Sequence, residues 1–497
     1  MDILYKSTRG CGAEVTASRA ILNGLAEDGG LYIPVNIPAL ELDLQSAADM
    51  SYKELAFEVL SKFLTDYTDD ELKYCIAHAY DDKFDTEDIA QIAEKDGKYF
   101  LELFHGATIA FKDMALSILP YLLTTAAKKN NISDEIVILT ATSGDTGKAA
   151  LAGFSEVEGT KIVVFYPDGG VSNIQRLQMV TQKGDNTCVI AVKGNFDDCQ
   201  SAVKRMFNDA ALKKELAGKG FVFSSANSIN IGRLIPQVVY YVWAYTRLVK
   251  SGSIAAGEKI NFVVPTGNFG NILAGYYAKL MGLPVDKLIC ASNENKVLFD
   301  FFTTGIYDRN REFILTNSPS MDILISSNLE RLIYMSTGND PQKTKELMNE
   351  LSLTGKYTVT DEMRDKMKDF VGGYASEDEC LDEIKKIYDA SGYIIDTHTS
   401  VAAAVYEKYE KKTNDKTPTV IVSTASPFKF LKAVITAIDP EHADKLSIWD
   451  LVFRLDELQG KKGIPQAIKD IMALPIRHKC VCEINDMEKE LRAFLNV

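Results

Sequence analysis

Short, continuously apolar runs recur along the chain from about residue 95, with helical stretches between them. They lie at 98–103, 135–140, 161–166, 188–192, 220–224, 260–265, 287–291 and 417–422. Several are unbroken rather than alternating, as in Lys161-Ile-Val-Val-Phe-Tyr166. A strand that is apolar on both faces must be covered on both, and that happens where helices flank a parallel sheet. The pattern predicts an α/β architecture with more than one open sheet.

A chain of 497 residues is too long for one ordinary domain. Residues 1–90 read as a mainly helical N-terminal domain, in which Ser51 and Glu54 have the spacing of a capping box. Residues 91–440 read as an α/β core of two subdomains, with a helix-rich polar insertion at about 305–390. Residues 441–497 read as a C-terminal helical extension, with helical units at 447–458 and 485–495.

Charge and cysteine usage narrow the function classes. A net charge of −14, from 55 basic and 69 acidic residues, argues against nucleic-acid binding, which needs a basic footprint. The eight cysteines form no Cys-x-x-Cys set, and the five histidines have no ligand spacing, so neither a disulfide framework nor a metal site is expected. The start, Met-Asp-Ile-Leu-Tyr-Lys, shows no basic stretch leading into an apolar run, and no apolar segment reaches membrane-spanning length. The chain reads as cytoplasmic and not bound to membrane.

Two glycine-rich turns carry the chemistry. The run at 135–140 leads into Ala141-Thr-Ser-Gly-Asp-Thr-Gly147 and then a helix. The run at 260–265 leads into Thr266-Gly-Asn-Phe-Gly-Asn271 and another helix. Backbone N–H groups of Gly267, Asn268, Phe269, Gly270 and Asn271 are candidate donors to a phosphate, because a helix amino terminus leaves its first N–H groups free and carries partial positive charge. Ligands of open α/β sheets gather at this end of the strands. Asn227, Ser228 and Arg233 add further donors for a phosphate or carboxylate. Lys112 sits in Phe-Lys-Asp before an apolar helix. Taken by itself it reads first as a helix-opening surface residue. In an apolar setting its amine would be more easily neutral and nucleophilic.

The ordered set of segments resembles the threonine synthase family, in its longer fungal and proteobacterial branch. The segments are Tyr5-Lys-Ser-Thr-Arg9, Gly24-Leu-Ala-Glu-Asp-Gly-Gly-Leu-Tyr-Ile-Pro34, Leu101-Glu-Leu-Phe-His-Gly-Ala-Thr-Ile-Ala-Phe-Lys-Asp113, Ala141-Thr-Ser-Gly-Asp-Thr-Gly147, Asn227-Ser-Ile-Asn230, Pro265-Thr-Gly-Asn-Phe-Gly-Asn271, Ser318-Pro-Ser-Met-Asp-Ile323, Ser327-Asn-Leu-Glu-Arg331, Asp396-Thr-His-Thr399 and Ser423-Thr-Ala-Ser-Pro427. The resemblance implies an α/β pyridoxal-phosphate fold of type II, with two open, largely parallel sheets flanked by helices. It implies pyridoxal 5'-phosphate as cofactor, bound to Lys112 as a Schiff base. Gly267, Asn268, Phe269, Gly270 and Asn271 then match the cofactor-phosphate loop, and Thr424 matches the residue whose hydroxyl meets the pyridine nitrogen. Ser143, Gly144, Asp145 and Thr146 match the loop near the substrate carboxylate and cofactor ring. Asn227, Ser228 and Arg233 are candidates for the leaving phosphate, and His105 is a further one from its proximity to Lys112. Asp145 stands where many fold relatives carry asparagine, Asn271 where many carry aspartate, and Ala425-Ser426 where many carry Ala-His. The implied reaction converts O-phospho-L-homoserine and water to L-threonine and phosphate. The alternatives are a phospho-lyase giving 2-oxobutyrate from the same substrate, and a non-catalytic cofactor-binding protein. Monomer and dimer both stay open.

Overall fold

The computed structural model describes residues 2–142 and 144–497. At the start β1 (Tyr5–Ser7) pairs antiparallel with β2 (Tyr32–Pro34). Helices Ala17–Asn23, Tyr52–Phe63 and Asp69–Ala79 complete this segment. The capping box forms as expected: Glu54 N donates to Ser51 Oγ at 3.3 Å, and Ser51 N donates to Glu54 Oε2 at 2.8 Å. Such a cap is worth about 1 kcal/mol. Tyr52, Leu55, Ala56, Val59, Leu60 and Phe63 form one buried stripe at helical spacing. The Tyr52 ring meets Tyr80 and Trp243 edge-on, with centroids 5.1 and 5.4 Å apart. That contact docks the N-terminal segment on the buried helix Pro236–Lys250.

Next along the chain come β3 (Gln91–Lys95), β4 (Lys98–Glu102), β5 (Glu135–Ala141), β6 (Thr160–Pro167), β7 (Thr187–Lys193) and β8 (Phe221–Ser224). They are followed by β9 (Ile260–Pro265), β10 (Val285–Ser292), β11 (Ile306–Asp308), β12 (Lys356–Thr358), β13 (Phe370–Tyr374), β14 (Thr419–Ser423) and β15 (Cys480–Glu483). One sheet has the order β13-β10-β9-β14-β4-β3 and the other β15-β7-β6-β5-β8. Within these two sheets every pairing is parallel except β3 with β4. β11 and β12 make a separate antiparallel ribbon.

Each apolar run noted in the sequence is a strand, and the unbroken ones lie where double coverage was required. All of β9 and all of β14 are buried. The sheets position the site through their carboxyl ends. β4 and β14 in the first sheet run into the segments carrying Lys112 and Thr424. β5 in the second runs into the helix Asp145–Phe154. β9 runs into the loop before the helix Gly270–Leu280. Among the described residues no helix is long and apolar enough to cross a membrane.

Candidate active site

Lys112 is not the surface residue its isolated spacing favours, for its side chain is only 11% exposed. Three contacts hold its segment against the exit of β14: Phe111 N donates to Thr424 O at 2.8 Å, Leu103 N donates to Ser423 O at 2.9 Å, and Ala110 bridges Ala425. Asp113 fastens the other side, accepting from Thr108 N at 2.8 Å and Thr108 Oγ1 at 2.6 Å. Lys112 Nζ donates to Ser320 Oγ at 3.2 Å and stands 3.5 Å from Asp145 Oδ2. The first sheet's lysine and the second sheet's aspartate therefore meet, and the site lies between the sheets.

Asp145 is the hub. Its Oδ1 accepts from Gln175 Nε2 at 2.9 Å and pairs with Lys429 Nζ at 2.9 Å; its Oδ2 accepts from Ser320 Oγ at 3.0 Å. Burial by itself would raise its pKa, but the ammonium of Lys429 and then Lys112 hold it well below the usual carboxylate range. For Lys112 the balance runs the other way. Burial lowers its pKa; Asp145 opposes that, while Lys429 and Arg233 add to it. A buried amine with a lowered pKa gives up its proton more readily and so reaches its neutral, nucleophilic form more easily than a surface lysine does.

Ser320 is placed by a carboxylate–imidazole pair. His398 Nε2 accepts from Ser320 N at 3.1 Å, so the ring proton sits on Nδ1 and is donated to Asp396 Oδ2 at 2.7 Å. Asp396 caps the helix Thr397–Thr413 through the N–H groups of His398 and Thr399. His398 thus acts on the site through the backbone of Ser320, not by touching Lys112.

The second glycine turn is engaged through its carbonyls. Gly267 O accepts from Ser326 Oγ at 2.7 Å, and Asn268 O accepts from Asn328 N and Nδ2, each at 3.0 Å. Among the described residues the N–H groups of 267–271 donate to no protein acceptor. Phe269 takes a left-handed φ of 63°, which turns the chain into the helix Gly270–Leu280. Asn271 Oδ1 accepts from both Tyr240 and Tyr241 hydroxyls at 2.6 Å, while its Nδ2 is buried without a partner. A Cβ on Gly267 would stand 2.6 Å from Ser320 O, so this wall admits only glycine. Arg233 Nη1 donates to Ala226 O at 3.0 Å, its Nε is buried and unpartnered, and burial pushes its pKa down to about 10. Orphaned donors of this kind are costly unless an anion takes them. A phosphate-bearing cofactor fits them.

Other candidates fare differently. Gly144 takes a φ of 140°, and its N–H, like that of Gly147, donates to Thr142 Oγ1. Those two N–H groups are therefore used within the turn. Thr146 is half-buried one residue beyond Asp145, and Ser143 lies outside the described residues. Asn230 serves structure, capping the helix Ile231–Leu234 and donating to Ile21 O and Ser225 O. Asn227 is exposed, Ser228 half-buried, and Thr424 is 5% exposed.

His105 does not suit a leaving phosphate. Its Nδ1 bonds Asp85 Oδ1 at 2.6 Å and its Nε2 bonds Glu102 Oε2 at 3.0 Å, which occupies both nitrogens with carboxylates. Burial lowers its pKa, but Asp85 and Glu102 more than reverse this and lift it to about 9. Its stabilisation is therefore full below the ordinary imidazole value of about 6.5 and is lost as pH rises through about 9. Urea unfolding of wild type and His105→Gln should differ by up to about 3 kcal/mol at pH 6. The gap should narrow by pH 9.5; a gap that is constant with pH contradicts the assignment.

Comparison with known proteins agrees with this geometry. Three family models match: "Threonine synthase N terminus" over residues 4–80, "Pyridoxal-phosphate dependent enzyme" over 88–425, and "Threonine synthase, C-terminal" over 399–492. Threonine synthase of Schizosaccharomyces pombe is 39% identical over 468 residues, spanning 88% of this chain and 90% of that protein. The chain belongs to the threonine synthase family of pyridoxal-phosphate-dependent enzymes. Within the family, the crystal structure of pyridoxal-phosphate-bound threonine synthase from Brucella melitensis superposes with a TM-score of 0.88 at 33% identity, covering 100% of both chains. Human threonine synthase-like 1 is 41% identical over 453 residues, spanning 88% of this chain and 60% of the longer human protein. The α/β fold and the cofactor class expected from the sequence both stand.

The residues that sequence reasoning missed are Ser320, Gln175 and Lys429. Ser320 lies 208 positions from Lys112, and no local spacing connects them. For Lys429 a signal was present. An acidic residue inside an anion-binding turn demands a buried cation, and Asp145 is such a residue.

Proposed function

We propose that the chain converts O-phospho-L-homoserine and water to L-threonine and phosphate, the last step of threonine formation. The observation that carries the reading is the meeting of a buried, pKa-lowered Lys112 with more positive than negative charge. Asp145 is the carboxylate paired with Lys112, against the cations Lys429 and Arg233. That surplus, with the unpartnered Arg233 Nε and Asn271 Nδ2, suits a doubly anionic substrate and the cofactor phosphate.

Pyridoxal phosphate supplies an aldehyde that joins an amine and a ring that draws electrons from the carbon next to it. Lys112 Nζ is the attachment point. The loop Gly267, Asn268, Phe269, Gly270 and Asn271 would hold the cofactor phosphate, and the Thr424 hydroxyl would serve the pyridine nitrogen. With its nitrogen free, Lys112 Nζ would take the proton from the substrate α carbon and carry the β proton. Ser320 Oγ keeps that nitrogen oriented between proton transfers. Asp145 and Thr146 border the substrate carboxylate, and Arg233, Asn227 and Ser228 receive the leaving phosphate. The eight free thiols fit a reducing compartment, and we place the enzyme in the cytoplasm.

A second reading keeps the same residues: elimination of phosphate with release of 2-oxobutyrate. Incubation with pyridoxal phosphate and O-phospho-L-homoserine separates the two. The expected products are threonine and phosphate in equal amounts. 2-Oxobutyrate in place of threonine assigns the lyase, and no phosphate release sinks both.

A further inference from the structure

Lys429 is a second lysine at the site, and its side chain is 0% exposed. It lies on the short turn Pro427–Lys429, just beyond β14. Its Nζ pairs with Asp145 Oδ1 at 2.9 Å and donates to Thr108 O at 3.0 Å and Gln178 Oε1 at 3.5 Å. Asp145 therefore stands between two lysines. Its Oδ1 is filled by Lys429 and Gln175 at 2.9 Å each, whereas Lys112 stands off Oδ2 at 3.5 Å with the Ser320 hydroxyl also bonded there. We propose that Lys429 is a positioning residue for the reactive amine: it anchors Asp145 through Oδ1 and so leaves Lys112 Nζ loosely paired and able to release its proton.

The physical reason is a division of one negative charge between two cations. A buried carboxylate with a single cation pairs with it closely, and a lysine so paired stays an ammonium that cannot attack. Among the described residues, four groups act on Lys112. They are Asp145 from the helix Asp145–Phe154, Lys429 from Pro427–Lys429, Arg233 from Ile231–Leu234, and the Ser320 hydroxyl. Asp145 favours the ammonium; Lys429 and Arg233 favour the free amine. Removing Lys429 therefore removes a cation and also releases the whole of Asp145 to Lys112, and both changes favour the ammonium. Removing both partners restores the balance. The charged pair is then equivalent to a neutral amide beside an apolar side chain.

The inference rests on Lys112 being the reactive amine, and the test separates the two claims. The full-length chain, stripped of cofactor with a carbonyl scavenger, is labelled with trace acetic anhydride from pH 6 to 10. Acetylation of Lys112 is then counted by peptide mass. In wild type the labelling midpoint should lie below the ordinary lysine value of about 10.4. In Lys429→Met it should move up by about one pH unit, which is about tenfold slower labelling at pH 7. In Asp145→Asn/Lys429→Met the rate should return to within about threefold of wild type, and Lys429→Arg should stay near wild type. An unchanged or lowered midpoint in Lys429→Met overturns the role of Lys429 while leaving that of Lys112 intact. A wild-type midpoint at the ordinary value overturns both. If Lys429→Met does not fold, the same shift is read in Lys429→Gln, which removes the charge and keeps a side-chain hydrogen-bond donor; no rise of the Lys112 midpoint there overturns the proposal.

Discussion

Lys112→Ala is expected to lower turnover of O-phospho-L-homoserine by at least about a thousandfold, because in the proposed function one nitrogen serves as cofactor anchor and as proton carrier. Proton transfer by a positioned group typically contributes about a hundredfold to ten-thousandfold by itself. Loss of the anchor adds to it. The fold should survive, since among the described residues the side chain hydrogen-bonds only Ser320 and stands 3.5 Å from Asp145, which keeps Lys429 as its partner. The variant should therefore melt near the wild-type temperature, still bind pyridoxal phosphate through the loop at 267–271, and lack the visible band of an attached cofactor. Turnover within tenfold of wild type would remove Lys112 from the chemistry.

Arg331→Met should have the largest effect on stability. Arg331 is 0% exposed and joins three segments with one guanidinium. Nε donates to Tyr32 O at 2.8 Å in β2, Nη2 donates to Ile229 O at 2.6 Å in the segment that precedes Arg233, and Nη1 bonds Asn328 Oδ1. Asn328 in turn holds Asn268 O of the loop proposed for the cofactor phosphate. Burial lowers the Arg331 pKa to about 10, which still leaves it charged at neutral pH. Truncation strands buried acceptors in three places, and each unsatisfied group costs about 1–3 kcal/mol. The expected loss is about 3–5 kcal/mol in urea unfolding, together with a weaker dissociation constant for pyridoxal phosphate. Lysine should not rescue it, because a single ammonium cannot reach acceptors in three directions. A loss below about 1 kcal/mol with unchanged cofactor affinity contradicts this account.

The α/β core was legible because burial writes itself into sequence as unbroken apolar runs, and β9 and β14 are the clearest cases. Strands outside that condition escaped. β13 contains Gly372 and Gly373 and lies in the stretch read as a helix-rich insertion. The glycines are there because a Cβ at Gly373 would stand 2.4 Å from Val405 Cγ1, and one at Gly372 would stand 3.2 Å from Phe299 Cα. β3 is a half-exposed edge strand in which Gln91, Glu94 and Lys95 flank Ile92 and Ala93, and β15 is a short, partly exposed strand in the stretch read as a helical extension. In the site, glycine turns were legible because their conformational demand is local. The partners of Asp145 were not, because charge pairing across the inter-sheet cleft joins residues with no fixed spacing. His105 shows the reverse error: nearness to Lys112 in sequence put it in the site, whereas Asp85 and Glu102 hold it as a structural cation.

The most direct measurement is borohydride reduction of the holoenzyme followed by peptide mapping. Reduction fixes the cofactor to whichever amine carries it. The account predicts one modified lysine per chain, Lys112, with Lys429 unmodified. Modification of a different lysine, or a visible band that borohydride leaves unchanged, would contradict it.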